Sequence, residues 1–174
     1  EIGFGTWNYQ GGVSPLRKAI DLGATLIDTA ELYGTEDVVG EAVKGRRDKV
    51  FIATKVSANH LRHAEVLRAA ENSLKKLGTD YIDLYQVHWP DPSVPIAETM
   101  GAMERLVDAG KVRFLGVSNF YLKNLREAES AEVGGLLVLL EPLMDEWDKV
   151  LVFLHFVTIL DLLRLPPLPG TDGR

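Results

Sequence analysis

Four side chains in the first half of this chain could act on one another: the carboxylate of Asp28, the phenol of Tyr33, the amine of Lys55 and the imidazole of His88. A tyrosine is a weak acid, with a pKa of about 10. An ammonium beside it favours the phenolate and lowers that value. Lys55 can supply that charge, and Asp28 can hold and orient Lys55. His88 can donate a hydrogen bond to a carbonyl oxygen. Together the set delivers a proton to a carbonyl that is becoming an alcohol. It contains no hydride source, so a reduced nicotinamide is implied. Taken one at a time the four read more plainly, as a turn aspartate, a packed tyrosine, a paired lysine and a core histidine. Their recurrence at successive strand ends favours the joint reading.

Those ends belong to stretches of one layout. Leu26 to Gly34, Phe51 to Lys55, Ile82 to Trp89 and Val112 to Phe120 each begin as strand-forming apolar runs and finish in polar side chains. A buried strand has no use for such an ending, whereas the C-terminal rim of a parallel barrel collects them. The connecting segments read as helices. Ser14 and Pro15 supply a cap and a first helical residue for Leu16 to Leu22, which stops at Gly23. Thr35 offers a cap to a helix bearing Val38, Val39 and Val43 and closed by Gly45. Residues 62–77 carry an apolar stripe of Val66, Leu67, Ala70, Leu74 and Leu77, ended by Gly78. Pro95 to Ala109 and Leu122 to Ser130 complete the series, and Ile2 to Trp7 is a short opening strand.

Strand and helix thus alternate five times by residue 130, which implies parallel strands with right-handed crossovers. An open doubly wound sheet would alternate likewise. The polar strand ends select a barrel, because a barrel gathers them round one pocket. The fold class expected is α/β: an incomplete parallel (β/α) TIM-type barrel of about five to six βα units, followed by an atypical leucine-rich C-terminal segment. A full barrel of this kind takes about 250 residues, and this chain has 174. It is expected to form a single domain, with βα units over 1–132, an apolar segment over 133–165 and a tail over 166–174. The apolar run 150–160 is too short for a membrane helix of roughly 20 residues.

Composition narrows the function. A net charge of -6 argues against nucleic-acid binding, which needs a basic footprint. There is no cysteine, so disulfide, thiolate and Cys-zinc chemistry are out. Nothing resembles a signal peptide or a membrane segment, so the expected setting is cytoplasmic. The chain opens at Glu1 rather than Met, as a piece of a longer parent would. His60 and His63 could share a helix face as metal ligands do, but without a third ligand at fitting spacing they read as a solvated helix start, and no metal is expected. Lys44, Arg46, Arg47 and Lys49 read as a solvated helix end rather than a phosphate site.

The stretches Gly3-Phe4-Gly5-Thr6-Trp7, Asp28-Thr29-Ala30-Glu31-Leu32-Tyr33-Gly34, Ala53-Thr54-Lys55, Val87-His88-Trp89-Pro90 and Gly116-Val117-Ser118-Asn119-Phe120 resemble, in order and spacing, the aldo-keto reductase family over about residues 1–128. That resemblance implies a (β/α)8 barrel that uses NADPH without a Rossmann domain, in keeping with the lack of a G-x-G-x-x-G motif. It implies Tyr33 as general acid, Lys55 and Asp28 as the groups that tune it, and His88 as the residue orienting a small carbonyl substrate. Ser118 and Asn119 would bond the nicotinamide carboxamide, a role compatible with capping the helix that follows. Thr6, Trp7 and Asp28 would lie at the cofactor. Trp7, Tyr33, His88 and Trp89 would line the substrate pocket, although the tryptophans and Thr6 also suit plain rim packing. Past Ala131 the family's nicotinamide-contacting glutamine, its stacking aromatic and its basic adenosine-phosphate residues are not found. That departure predicts impaired hydride transfer and leaves NADH open beside NADPH. The alternative from the same residues is a non-catalytic truncated barrel, a structural, oligomerising or cofactor-sensing module that self-associates through exposed sheet edges.

Overall fold

The computed structural model describes residues 3–121 together with Lys123, Asn124 and Ala128. Five strands alternate with helices: β1 (Gly3–Gly5), α1 (Val13–Asp21), β2 (Leu26–Asp28), α2 (Glu36–Val43), β3 (Phe51–Val56), α3 (His63–Leu77), β4 (Ile82–Val87), α4 (Ile96–Asp108) and β5 (Val112–Val117). Short 3-10 turns occupy Glu31–Tyr33, Arg47–Lys49 and Ala58–His60. The helix expected over Leu122 to Ser130, the sixth strand and the leucine-rich segment lie outside the described residues, apart from Lys123, Asn124 and Ala128.

All strand pairs are parallel, in the spatial order β1-β2-β3-β4-β5. Each strand therefore lies beside its neighbour in sequence. A doubly wound sheet reverses direction at a switch point; this one does not, and it winds as an incomplete barrel winds. Every residue of β3 and of β4 is buried, as befits strands covered on both faces. Ile27, Ile52, Ile82 and Val56 are among the most deeply buried side chains.

The helices pack by the stripes their spacing dictates. α3 buries Val66, Ala69, Ala70, Ser73, Leu74 and Leu77 and ends at Gly78, which takes a left-handed conformation. α2 lies close enough to the end of α3 that a Cβ on Gly40 would fall 2.4 Å from the Lys76 carbonyl oxygen. Two expected caps are corrected. α1 starts two residues before Pro15, with Gly12 at the N-cap and no side-chain cap bond. Thr35 does sit at the N-cap of α2, but its hydroxyl is drawn inward to other threonines and caps nothing.

The basic cluster also reads differently in three dimensions. Arg46 bonds Asp21. Arg47 is not a solvated helix end: its guanidinium reaches Thr79, the Val50 and Tyr81 carbonyls and Asp83, and it stacks 3.9 Å from the Tyr81 ring centroid. Asp83, 1% exposed, also accepts from Arg113 and from the Ile52 N–H. This knot ties β3, β4 and β5 together near their N-terminal ends. No helix among the described residues is long and apolar enough to cross a membrane.

Candidate active site

The register of the sheet sets the site. Gly5, Asp28 and Ala53 stand abreast across β1, β2 and β3, and Lys55 stands opposite Gln86. Asp28 is the last residue of β2, Lys55 the last but one of β3, and His88 follows β4 directly. Backbone bonds carry the ladder past the strands: Thr6 N–H to the Asp28 carbonyl, Thr29 N–H to Ala53, His88 N–H to Val56, and Ser118 N–H to Val87. Every polar strand end singled out above therefore opens at the same, C-terminal mouth.

There the four reactive side chains converge. The Lys55 ammonium donates to both Asp28 oxygens, at 2.8 and 2.7 Å, and to the Thr29 carbonyl at 3.0 Å. Its Nζ lies 5.0 Å from the Tyr33 ring centroid. The Tyr33 hydroxyl is 3.5 Å from His88 Nε2. Trp7 meets Tyr33 edge-on with centroids 5.0 Å apart, and Trp89 stacks on His88 at 3.7 Å. Trp7 is 61% exposed and Trp89 39%, so both flank an open mouth rather than fill a core.

One electrostatic expectation is corrected. Lys55 does not lower the Tyr33 pKa in this chain. Burial, and secondly the Asp28 charge, push it up to about 12. The ammonium is held against Asp28, and the phenol stays protonated near pH 7. Lys55 itself is shifted down by burial, partly offset by its charge pairing and hydrogen bond with Asp28. Burial, followed by the Lys55 charge, lowers His88 from 6.5 to about 4, so its ring is neutral near pH 7. Its Nδ1 is buried without a hydrogen-bond partner. An orphaned lone pair costs less than an orphaned N–H, which favours the tautomer carrying its proton on Nε2. In that tautomer the imidazole N–H donates to the Tyr33 hydroxyl across a long 3.5 Å, so both groups sit within reach of one acceptor oxygen placed beside them.

The cofactor-side residues divide. Ser118 is half-buried and Asn119 exposed; Asn119 adopts a left-handed φ of 58° and donates to the His88 carbonyl at 2.8 Å and to Ser118 Oγ at 3.1 Å. A hydroxyl and a carboxamide at the mouth suit an amide ligand. Thr6, in contrast, reaches no surface. It is fully buried, accepts from Thr35 at 2.8 Å and donates to the Asp28 carbonyl at 3.2 Å. Since the Thr35 proton goes to Thr6, Thr29 donates to Thr35, at 3.1 Å. Thr6 is thus a buried support beneath Trp7, not a group facing a ligand.

Sequence reasoning passed over Glu31. It lies inside the quoted Asp28–Gly34 stretch, but its role depends on the 3-10 turn at Ala58–His60, which carries no apolar period. His60, read above as part of a solvated helix start, belongs to that turn and pairs with Glu31 at 2.8 Å.

Comparison with known proteins supplies the kinship. The Aldo/keto reductase family model matches residues 1–147. Aldo-keto reductase YhdN of Bacillus subtilis is 47% identical over 147 residues, covering 71% of this chain and 44% of that protein. Methylglyoxal reductase YeaE of Escherichia coli is 45% identical over 137 residues, with 72% and 48% covered. Among solved structures, the thermostable aldo-keto reductase Tm1743, bound to the inhibitor epalrestat, superposes with a TM-score of 0.72 at 46% identity, covering 75% of this chain and 53% of that one. An aldo/keto reductase from Klebsiella pneumoniae in complex with NADP and acetate gives 0.65 at 44%, with 72% and 48% covered. The chain spans about half the length of the curated relatives it matches. With the five-strand parallel winding, these matches show that the chain belongs to the aldo/keto reductase family.

Proposed function

We propose that the site reduces a small aldehyde or ketone to an alcohol with NADPH, NADH remaining an alternative donor. The observation that carries this reading is the convergence of Tyr33, His88, Lys55 and Asp28 at one mouth, with two donors separated by 3.5 Å. The nicotinamide, when bound, supplies the hydride. Ser118 and Asn119 would hold its carboxamide, and Trp7 would lie beside it. His88 Nε2–H holds the substrate oxygen. The Tyr33 phenol gives that oxygen its proton as charge develops there. Lys55, kept in place by Asp28, stands beside the phenol ring, and solvent returns the proton to the phenolate left behind. Trp7 and Trp89 wall the substrate and thin the water around it. Relatives named as methylglyoxal reductases support a small carbonyl substrate.

The test is consumption of NADPH that depends on added aldehyde. It should be present in the parent and lost in Tyr33→Phe, with cofactor binding by fluorescence kept in both. Parent and variant consuming NADPH equally would overturn the assignment of Tyr33. A division of labour accompanies this reading: all proposed site residues fall within 1–132, ahead of the 133–165 segment and the 166–174 tail.

A second reading, a non-catalytic cofactor-sensing or self-associating module, draws on the sheet order. Among the described residues β1 and β5 stand at its two ends, and open edges recruit strands. Sedimentation separates the two: a strict monomer with turnover supports the reductase, whereas an oligomer that binds cofactor without turnover supports the module.

A further inference from the structure

We propose that Glu31 is a positioning residue for Tyr33, its carboxylate clamping the turn that carries the phenol to the loop that leaves β3. The kinetic side of this proposal rests on the reductase reading; its structural side does not.

Tyr33 ends a 3-10 turn of three residues, Glu31–Tyr33. So short a turn holds itself weakly. Tyr33 N–H bonds the Ala30 carbonyl at 3.0 Å, and Gly34 N–H bonds Glu31 at a long 3.4 Å. Leu32 at its centre is 57% exposed and anchors nothing. Gly34 follows at once with a left-handed φ of 66°, a conformation that gives the chain freedom to swing there. The Glu31 side chain supplies what the turn lacks. Its Oε2 accepts the Ser57 backbone N–H at 3.0 Å, and its Oε1 lies 2.8 Å from His60 Nδ1. The side chain is 15% exposed, so both oxygens are largely withdrawn from water and both are used.

The far end of the clamp matters. Ser57 comes immediately after β3, two residues beyond Lys55. Glu31 therefore ties the phenol's turn to the strand that presents the ammonium. The Asp28–Lys55 pair makes one tie between these segments, and Glu31 makes a second, three residues nearer the phenol in sequence. With two ties the turn cannot pivot about either. Glu31 contacts neither the phenol oxygen nor any other group of the catalytic set, so its effect is transmitted through the backbone. Misplacing a reacting group by about 1 Å costs on the order of a hundredfold in rate.

The experiment uses the full chain with 13C-labelled tyrosine rings, Tyr33 being identified by its disappearance in Tyr33→Phe. The rings of Trp7 and His88, centred 5.0 and 5.4 Å away, displace the Tyr33 resonance from the free-tyrosine position. In Glu31→Ala that resonance should relax toward the free position or broaden, while that of Tyr81, stacked on Arg47, holds. Glu31→Gln keeps an acceptor for the Ser57 N–H and should hold Tyr33 near its parent position. His60→Ala, which removes one of the two ties, should move it in the same direction by less. Kinetically, Glu31→Ala should lower kcat by about tenfold to a hundredfold with KM changed less than about twofold, and Glu31→Gln should recover most of the loss. An unmoved Tyr33 resonance in Glu31→Ala overturns the clamp. So does a Tyr81 resonance that moves with it, or an equal loss in the Ala and Gln variants. A parent without turnover would defeat the reductase reading alone, since the ring resonances still decide the clamp.

Discussion

Acid should destabilise this chain through His88, by an amount that its setting fixes. The residue is 3% exposed. Burial first, and the Lys55 charge second, lower its pKa from 6.5 to about 4. The folded chain therefore holds this proton less tightly than the unfolded chain does. Between those two values the unfolded state binds more protons, so falling pH favours it. The stability that the neutral ring contributes is whole above pH 6.5 and is lost as pH falls toward 4. The gap is about two and a half pH units at about 1.4 kcal/mol each, or about 3 kcal/mol in all. His88→Gln keeps a polar side chain in place but does not titrate. Urea unfolding of parent and variant, stepped from about pH 7 to about pH 4, isolates the ring because carboxylates common to both cancel. The parent should lose about 3 kcal/mol more than the variant across that window. Nuclear magnetic resonance of the ring C2–H, assigned by its absence in the variant, should titrate near 4. Parallel unfolding curves, or a midpoint near 6.5, would refute the reasoning.

Three further outcomes are expected. Lys55→Met strips Asp28 of its ammonium and should destabilise the chain by about 2–4 kcal/mol, somewhat below the cost for a wholly buried pair because Asp28 keeps some exposure; an unchanged urea midpoint would count against the pair. Gly40→Ala places a Cβ against the Lys76 carbonyl and the Leu77 backbone, which cannot yield as a flexible side chain would. A loss of about 1–3 kcal/mol follows, read as a lower thermal midpoint. Asp83→Ala takes the carboxylate from Arg47, Arg113 and the Ile52 N–H, Arg47 keeping its bonds to Thr79 and the Val50 and Tyr81 carbonyls; a loss of about 3–5 kcal/mol should appear in urea unfolding, and a loss below about 1 kcal/mol would count against the knot.

The parts of the molecule that were legible in its sequence are those governed by short-range pattern. β5 occupies Val112–Val117 as its apolar run indicates, and β3 and β4 differ from expectation by single residues. β1 ends at Gly5, short of the expected Trp7, although the Thr6 N–H still bonds the Asp28 carbonyl. The cap at Ser14 failed because Gly12 already turns the chain at a φ of 70°. The direction of the Tyr33 shift was misjudged for a related reason. Proximity of an amine can be guessed from strand order, but not that Asp28 would engage that amine with both oxygens. Arg47 and Glu31 were missed because their partners lie tens of residues away in sequence and on segments without periodicity.

The two ends of the sheet show what separates the candidate site from a structural cluster. Near the N-terminal ends Asp83 is buried, yet its carboxylate is met by Arg47, Arg113 and a backbone N–H. That arrangement is saturated and has nothing left to offer a ligand. At the C-terminal mouth Asp28 and Lys55 are paired as well, but the groups above them are not saturated. His88 Nδ1 has no partner, the phenol and Nε2 stand at 3.5 Å, and two tryptophans leave the approach open. Buried polar groups are normally satisfied, and exceptions ask for a reason. Here the reason is positional. At the C-terminal mouth strand termini and their loops converge, and each group is braced by a neighbour that is itself engaged: Lys55 by Asp28, the Tyr33 turn by Glu31, and the His88 backbone by Asn119. Each of these braces joins the ends of adjacent strands, so the candidate set of Asp28, Tyr33, Lys55 and His88 is carried by β2 to β5 and the loops that follow them.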